Sequence, residues 1–277
     1  MFGKSQPNLQ DFKTTVCNFL KLGIDKVTIS GGDPLTIKGL QQFIDDLRSL
    51  GVNEIKLDTI GTTLLKNTHD SVLLEFDYAK ATALLNSIDY LGLPLDGWSA
   101  ESVNYFRKGR AGLFSETKLL LSSINNLKPT TGIIINTVAN KKNINNLHLI
   151  FEELLDYSII HAWHIFQYTS TDLVSEQVND MYAVTDQSFS EAELLLSNHI
   201  QFSKASFTTN FYSNSNRLGW YLLINSDGNA WLPDENGKTI NLGKVFEREE
   251  EILEMSTAAI KKFESNSVNR SSALHIM

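Results

Sequence analysis

Cysteine is almost missing from this sequence: among 277 residues there is one, Cys17. A single thiol forms no intrachain disulfide, and neither C-x-x-C nor C-x-x-x-C metal spacing exists, which fits a reducing compartment. Positive charge is also short. Lys and Arg number 24 against 32 Asp and Glu, a formal net charge of −8. General nucleic-acid binding needs a basic face to neutralise phosphate, so that class is set aside. No apolar run approaches the ~20 residues of a membrane-spanning helix. The polar opening Met1-Phe2-Gly3-Lys4 reads as no signal peptide. A soluble cytoplasmic protein is expected, with no membrane partner. A hydrophobic content of 42% supports one sizeable core, or a core with a small appendage.

What is present is alternation. Leu9, Phe12, Val16, Phe19 and Leu20 recur at helical spacing over 8–22, and Gly23 stops the run. Strands are expected at 26–30, 54–58, 90–95, 132–138 and 161–167. Helices are expected at 36–50, 77–87, 115–127, 144–156 and 188–200. Pro94 argues for an edge or irregular strand. Repeated strand-then-helix units predict an α/β fold with a parallel sheet and crossover helices. Gly31, Asp58, Asp96, Asn136 and Gln167 gather at the C-terminal strand ends, the edge where α/β sheets bind ligands. After residue 205 the pattern changes. Ser226-Asp227-Gly228-Asn229 between apolar runs predicts a β-hairpin, 247–264 reads as a charged helix, and the tail from Ser265 reads as frayed. The expected division is a core over 1–204 and a C-terminal extension over 205–277.

The most informative peptide is Thr28-Ile29-Ser30-Gly31-Gly32-Asp33-Pro34-Leu35. Paired glycines after a strand let backbone approach a ligand, Asp33 adds an acceptor, and Pro34 fixes the exit. A strand, this Gly-Gly-Asp-Pro-Leu turn and an amphipathic helix together resemble the S-adenosylmethionine-binding segment of the radical S-adenosylmethionine (radical SAM) superfamily. Further similarities keep the family's order: Asp58-Thr59-Ile60-Gly61-Thr62, Leu93-Pro94-Leu95-Asp96-Gly97, Ser99-Ala100-Glu101 with Tyr105-Phe106-Arg107, Gly109-Arg110-Ala111-Gly112, Ile135-Asn136-Thr137-Val138 with Asn143, and Trp163-His164-Ile165-Phe166-Gln167. The last two most resemble the viperin-like branch, as do Thr185-Asp186-Gln187-Ser188-Phe189 and Tyr221-Leu222-Leu223-Ile224. That branch acts on nucleoside triphosphates and carries a lysine just inside the Asn-Thr-Val strand. Ile134 stands there instead, so the nucleotide substrate is not carried over.

The resemblance implies a partial (β/α) barrel with five of six strands, plus a small C-terminal hairpin and helix. It implies that Gly31, Gly32, Asp33 and Pro34 hold the aminoacyl end of S-adenosylmethionine, with Thr59, Asp96, Asn136 and Gln167 lining the cavity. It further implies a [4Fe-4S] cluster on a CxxxCxxC loop, reductive cleavage to a 5′-deoxyadenosyl radical, an electron donor and a small-molecule substrate of unknown identity. The ligands for that cluster are absent, since thiolates are the required donors and only Cys17 exists. Cys17 reads as a buried structural cysteine beside Phe19 and Leu20. The family's cysteine loop would fall at or before Met1, which makes an N-terminally truncated, inactive form the leading expectation. The alternative is a cluster-free S-adenosylmethionine- or nucleotide-binding relative. An unrelated phosphate-binding barrel would want a late glycine-rich loop with basic residues, which is not found. His161 and His164 fall on opposite strand faces and do not chelate one metal. Glu152-Glu153 and Glu247–Glu251 read as solvated helix faces, Asp227 as a turn residue, and Trp163, Trp220 and Trp231 as packing.

Overall fold

The structure is a computed structural model, and it describes residues 8–21, 23–67, 74–170, 175–215, 221–233, 239–247, 251, 254 and 273–276. The chain divides into two compact units. One gathers the described residues of Met1–Thr59, Ala83–Leu91 and Arg217–Met277; the other gathers those of Ile60–Thr82 and Gly92–Asn216. Both are α/β, as the alternation predicts. Within each unit the strands follow a linear order, and among the described residues they close no barrel. Among the described residues no helix is long and apolar enough to cross a membrane.

The first unit opens with α1 (Leu9–Lys21), β1 (Lys26–Ile29), α2 (Leu40–Leu50) and β2 (Glu54–Asp58). Helix α1 buries Phe12, Val16 and Phe19, and α2 buries Leu40, Phe43, Ile44 and Leu47, each set at the i, i+3/i+4 spacing of one helical face. In β2 the alternation is sharp. Ile55 and Leu57 are buried, whereas Glu54, Lys56 and Asp58 are half-exposed on the opposite face. Each fully buried Leu, Ile or Phe contributes about 1.5–3 kcal/mol, so this one-sided core holds the unit together. Strands β1 and β2 pair in parallel from Lys26↔Glu54 to Ile29↔Leu57.

The second unit is built in chain order. A small hairpin, β3 (Leu65–Asn67) with β4 (Leu74–Phe76), leads into α3 (Tyr78–Leu85) and β5 (Tyr90–Pro94), of which Ala83–Leu85 and Tyr90–Leu91 count with the first unit. Pro94 is the last residue of β5, where the ladder no longer asks for its N–H. Then come α4 (Ala100–Phe106), α5 (Leu113–Leu127), β6 (Gly132–Ala139), α6 (Leu147–Leu154), β7 (Ile160–Gln167), α7 (Glu176–Tyr182), α8 (Asp186–Ile200) and β8 (Thr208–Tyr212). Strands β6, β7 and β8 are parallel neighbours, and β5 lies beside β6. One face of this sheet is packed. Trp163 is fully buried, stacks on Phe151 of α6 at 6.3 Å between centroids, and donates its Nε1–H to Thr137 Oγ1 at 2.8 Å.

The remaining strands belong to the first unit. The expected hairpin is present as β9 (Tyr221–Ile224) against β10 (Asn229–Pro233). Its turn rests on Gly228 at φ +81°, and an added Cβ there would meet the Phe246 ring at 2.4 Å. Strand β11 (Thr239–Lys244) extends the hairpin. The tail corrects the sequence reading. Residues Ala273–Ile276 form β12 instead of fraying, parallel to β1 on one side and to β9 on the other. Four residues carry too little periodicity to announce a strand, and two waiting edges supply its hydrogen bonds. Most of the charged helix expected at 247–264 lies outside the described residues.

Candidate ligand site

In the first unit the Gly-Gly-Asp-Pro turn follows the C-terminal end of β1. Gly31 adopts φ +108°, a region that L side chains rarely enter, so the backbone itself requires glycine there. Gly32 is different. It is exposed, and a Cβ added to it would meet nothing within 4 Å among the described residues. The packing of the chain therefore does not explain Gly32, whereas it does explain Gly61, where a Cβ would sit 2.7 Å from Leu120 Cδ1.

Asp33 is half-buried and caps a short 3₁₀ turn, Pro34–Thr36: its Oδ1 accepts from Leu35 N–H at 3.3 Å. The same oxygen accepts a short hydrogen bond from the Thr59 hydroxyl, just beyond the end of β2. Pro34 is buried and Thr59 is 6% exposed, so two adjacent strand ends are tied through a fixed carboxylate. Asp33 Oδ2 accepts no hydrogen bond among the described residues. One oriented anionic oxygen beside an unobstructed glycine suits a ligand ammonium group. The structure thus brings together the five predicted residues Gly31, Gly32, Asp33, Pro34 and Thr59.

In the second unit Asp96, Asn136 and Gln167 stand at or near the C-terminal ends of β5, β6 and β7. The Asp96 side chain is fully buried, and both its oxygens are engaged within the chain. Oδ2 pairs with Arg107 Nε at 2.6 Å, and Oδ1 accepts from Val138 N–H at 2.7 Å. Its backbone carbonyl accepts from Asn143 Nδ2 at 2.9 Å. Asp96 is therefore a brace between β5, β6 and α4, and it sets the direction of Arg107. Gln167 is likewise 1% exposed. Its amide donates to Val184 O and to Asp186 Oδ1 at 2.8 Å, while its Oε1 accepts from Asn214 N–H at 2.7 Å. Asn136 is half-buried mid-strand, and its carbonyl accepts from Leu95 N–H.

Arg107, Asn143, Asp186 and Asn214 are the residues that the sequence reading did not single out as partners. A signal existed for one of them. A buried acid at a strand end demands a counter-charge, and Arg107 heads the loop after the next helix. Around it Phe106 meets Tyr182 and Tyr168 edge-on at 5.2 and 6.2 Å, and the Arg107 guanidinium lies 5.3 Å from the Phe106 ring centre. Burial, and then the neighbouring Tyr182, raise the Tyr168 phenol above its ordinary range. Cys17, expected to be buried, is half-exposed on α1.

A cluster does not fit this donor set. The sequence holds one thiol, and no group of three His, Cys, Asp or Glu among the described residues could hold a metal ion.

The chain is similar to a GTP 3′,8-cyclase. That protein, from Peptoclostridium acidaminophilum, is 24% identical over 265 residues, spanning 88% of this chain and 75% of the relative. A domain of pyruvate-formate lyase-activating enzyme from Bacteroides vulgatus ATCC 8482 superposes with a TM-score of 0.47 at 13% identity, over 67% of this chain and 98% of that domain. No family model matches the chain.

Proposed function

We propose that this chain is a radical SAM-type protein whose first unit binds the aminoacyl end of S-adenosylmethionine. The observation that carries the reading is the turn at Gly31–Pro34. Gly31 is dictated by the backbone, Gly32 is left open by the packing, and Asp33 is fixed by Thr59 with one oxygen to spare. Gly32 lets the ligand backbone approach, Asp33 accepts its ammonium, and Pro34 with Thr59 keeps the carboxylate from swinging away. The similarity to the GTP 3′,8-cyclase, which points to the radical SAM superfamily, supports this. In the second unit we assign Asn136 to the cavity lining, while Asp96 and Gln167 act at one remove, through Arg107 and through the Asp186–Asn214 junction.

When bound to a reduced cluster, S-adenosylmethionine supplies a carbon radical in this family. This chain lacks the thiolates to hold such a cluster, and no step of that kind is assigned to it. Its viperin-like features leave the substrate open. The second reading, a cluster-free relative that binds S-adenosylmethionine or a nucleotide, is favoured by that same donor set.

Calorimetric titration tests the common core of both readings. S-Adenosylmethionine should bind the iron-free chain. Gly32→Val should weaken it by about tenfold or more, the equivalent of ~1.4 kcal/mol, with little change in stability. Asp33→Asn should weaken it comparably through loss of charge. Saturable binding that ignores both substitutions would sink the assignment. Anaerobic treatment with iron and sulfide should yield no 5′-deoxyadenosine from this chain alone.

A further inference from the structure

Helix α8 buries Phe189, Ala192 and Leu196, the i, i+3, i+7 spacing of one face. The opposite side of such a helix is normally polar, and at first it is: Gln187, Ser190 and Glu191 are exposed. One turn further on the pattern breaks. Leu194 and Leu195 are 63% and 70% exposed, and Phe202, just past the helix end, is 86% exposed. Leu195 and Phe202 are seven residues apart, which places them two turns apart on one side, with Leu194 next to Leu195. Together the three expose on the order of 400 Å², the size of the largest apolar patch on a typical monomer, which is often functional. Helix α6 lies alongside: His199 of α8 meets Phe151 at 5.9 Å and His148 at 5.8 Å between ring centroids. Leu155, which follows α6, is exposed as well.

The charge around this stripe has one sign. Over 147–156 and 186–204 stand the carboxylates Glu152, Glu153, Asp156, Asp186, Glu191 and Glu193, against a single lysine, Lys204. Glu153 is paired with Lys118 at 2.6 Å, and Asp186 accepts from the Gln167 amide. Glu152 lies 3.7 Å from His199. Glu152, Asp156, Glu191 and Glu193 are all exposed.

That charge selects the occupant. A helix face that lies on a membrane carries Lys and Arg for anionic headgroups, and here carboxylates would meet them. A two-fold contact with a second copy sets one patch against itself, so acids would face acids. A helix whose apolar residues are flanked by Lys or Arg satisfies both parts of the surface.

We infer that the α6–α8 surface of the second unit docks a basic amphipathic helix of another protein. About two turns of that helix, roughly 11 Å, present apolar anchors at i, i+3/i+4 and i+7 to Leu194, Leu195 and Phe202. Its Lys or Arg side chains reach Glu152, Asp156, Glu191 and Glu193. No residue of the Gly31–Pro34 turn takes part, so the docking is independent of S-adenosylmethionine binding.

The test uses the full chain and three fluorescent peptides of about 18 residues. One is a Leu/Lys helix with its leucines on one face, one its Leu/Glu counterpart, and one the Leu/Lys composition in scrambled order. Fluorescence anisotropy should show saturable binding of the ordered Leu/Lys helix, at least about tenfold weaker binding of the scrambled peptide, and none of the Leu/Glu helix. Leu195→Ser with Phe202→Ser should weaken the ordered peptide about tenfold or more and leave the melting temperature unchanged, because neither side chain is packed. Glu191→Lys with Glu193→Lys should weaken the Leu/Lys helix and admit the Leu/Glu helix. Glu176→Lys, an equal kind of charge change on α7, should do neither. Equal binding of ordered and scrambled peptides, or binding that ignores both double variants, would overturn the inference. So would a sedimenting dimer, or binding to phosphatidylglycerol vesicles, that the Leu195/Phe202 variant abolishes, since either gives the surface to a different occupant.

Discussion

The two units differ in how the chain connects their strands. In the second unit, strands β5, β6, β7 and β8 lie side by side in chain order, with helices between successive strands. In the first, β1 and β2 are near neighbours in sequence, but the other edge of β1 is filled by β12 and, beyond it, by the β9–β10–β11 meander. The half-buried faces differ too. Lys26 pairs with Glu54 at 3.2 Å and Lys56 with Asp58 at 3.0 Å on the first, whereas the second offers Asn136, His164 and Asn210. The lesson is that local connection and long-range closure produce equally complete ladders, but only the former leaves a trace in short-range pattern.

The sharpest way to break the comparison is at Asp96, where the second unit depends on a buried ion. Asp96→Ala would strand Arg107 and deprive Val138 N–H of its acceptor. The expected loss is about 3–5 kcal/mol of stability, read from the urea midpoint, because removing one partner leaves the other uncompensated. A loss below ~1 kcal/mol would show that the brace is dispensable.

The corresponding weak point of the first unit is β12. Leu274→Pro would remove a ladder N–H in a strand that is paired on both sides. An orphaned buried group costs about 1–3 kcal/mol. Amide exchange should quicken in β1 and β9 and stay unchanged in β6 and β7. Uniform quickening everywhere would mean that the two units open together.

The smallest effect is the most discriminating. Gly31→Ala should destabilise by about 1–2 kcal/mol, the cost of forcing an L residue to positive φ. Gly32→Ala should be neutral within ~0.5 kcal/mol. Equal losses at the two glycines, measured by thermal melting, would remove the reason for reading Gly32 as an approach path.

Much of this was legible in the sequence, for physical reasons that the residues show. The five core strands announced themselves because a parallel strand buried among neighbours must be apolar, as Ile133-Ile134-Ile135 is. The helices announced themselves by period, as in α2. The turn at Gly31 was legible because glycine at positive φ has no substitute. What escaped was whatever depends on distant partners. Strand β8 has a polar face and so lacks a continuous apolar run. Strand β12 is four residues long and owes its existence to edges laid down far away in sequence. The candidate site divided along the same line. The residues of the Gly31–Pro34 turn were readable from their own peptide. The commitments of Asp96 to Arg107 and of Gln167 to Asp186 were not, since nothing in either peptide says which neighbour will take the hydrogen bond.

The position of β12 also sets a clock on biosynthesis. Strands β1 and β2 leave the ribosome well before β12, the partner for the far edge of β1, which lies about 240 residues further on. At about 5–20 residues per second that is a wait on the order of ten seconds or more. During it, β1 offers an unsatisfied edge that any passing strand could occupy. The edge of β1 therefore stays open to mispairing until β12 arrives.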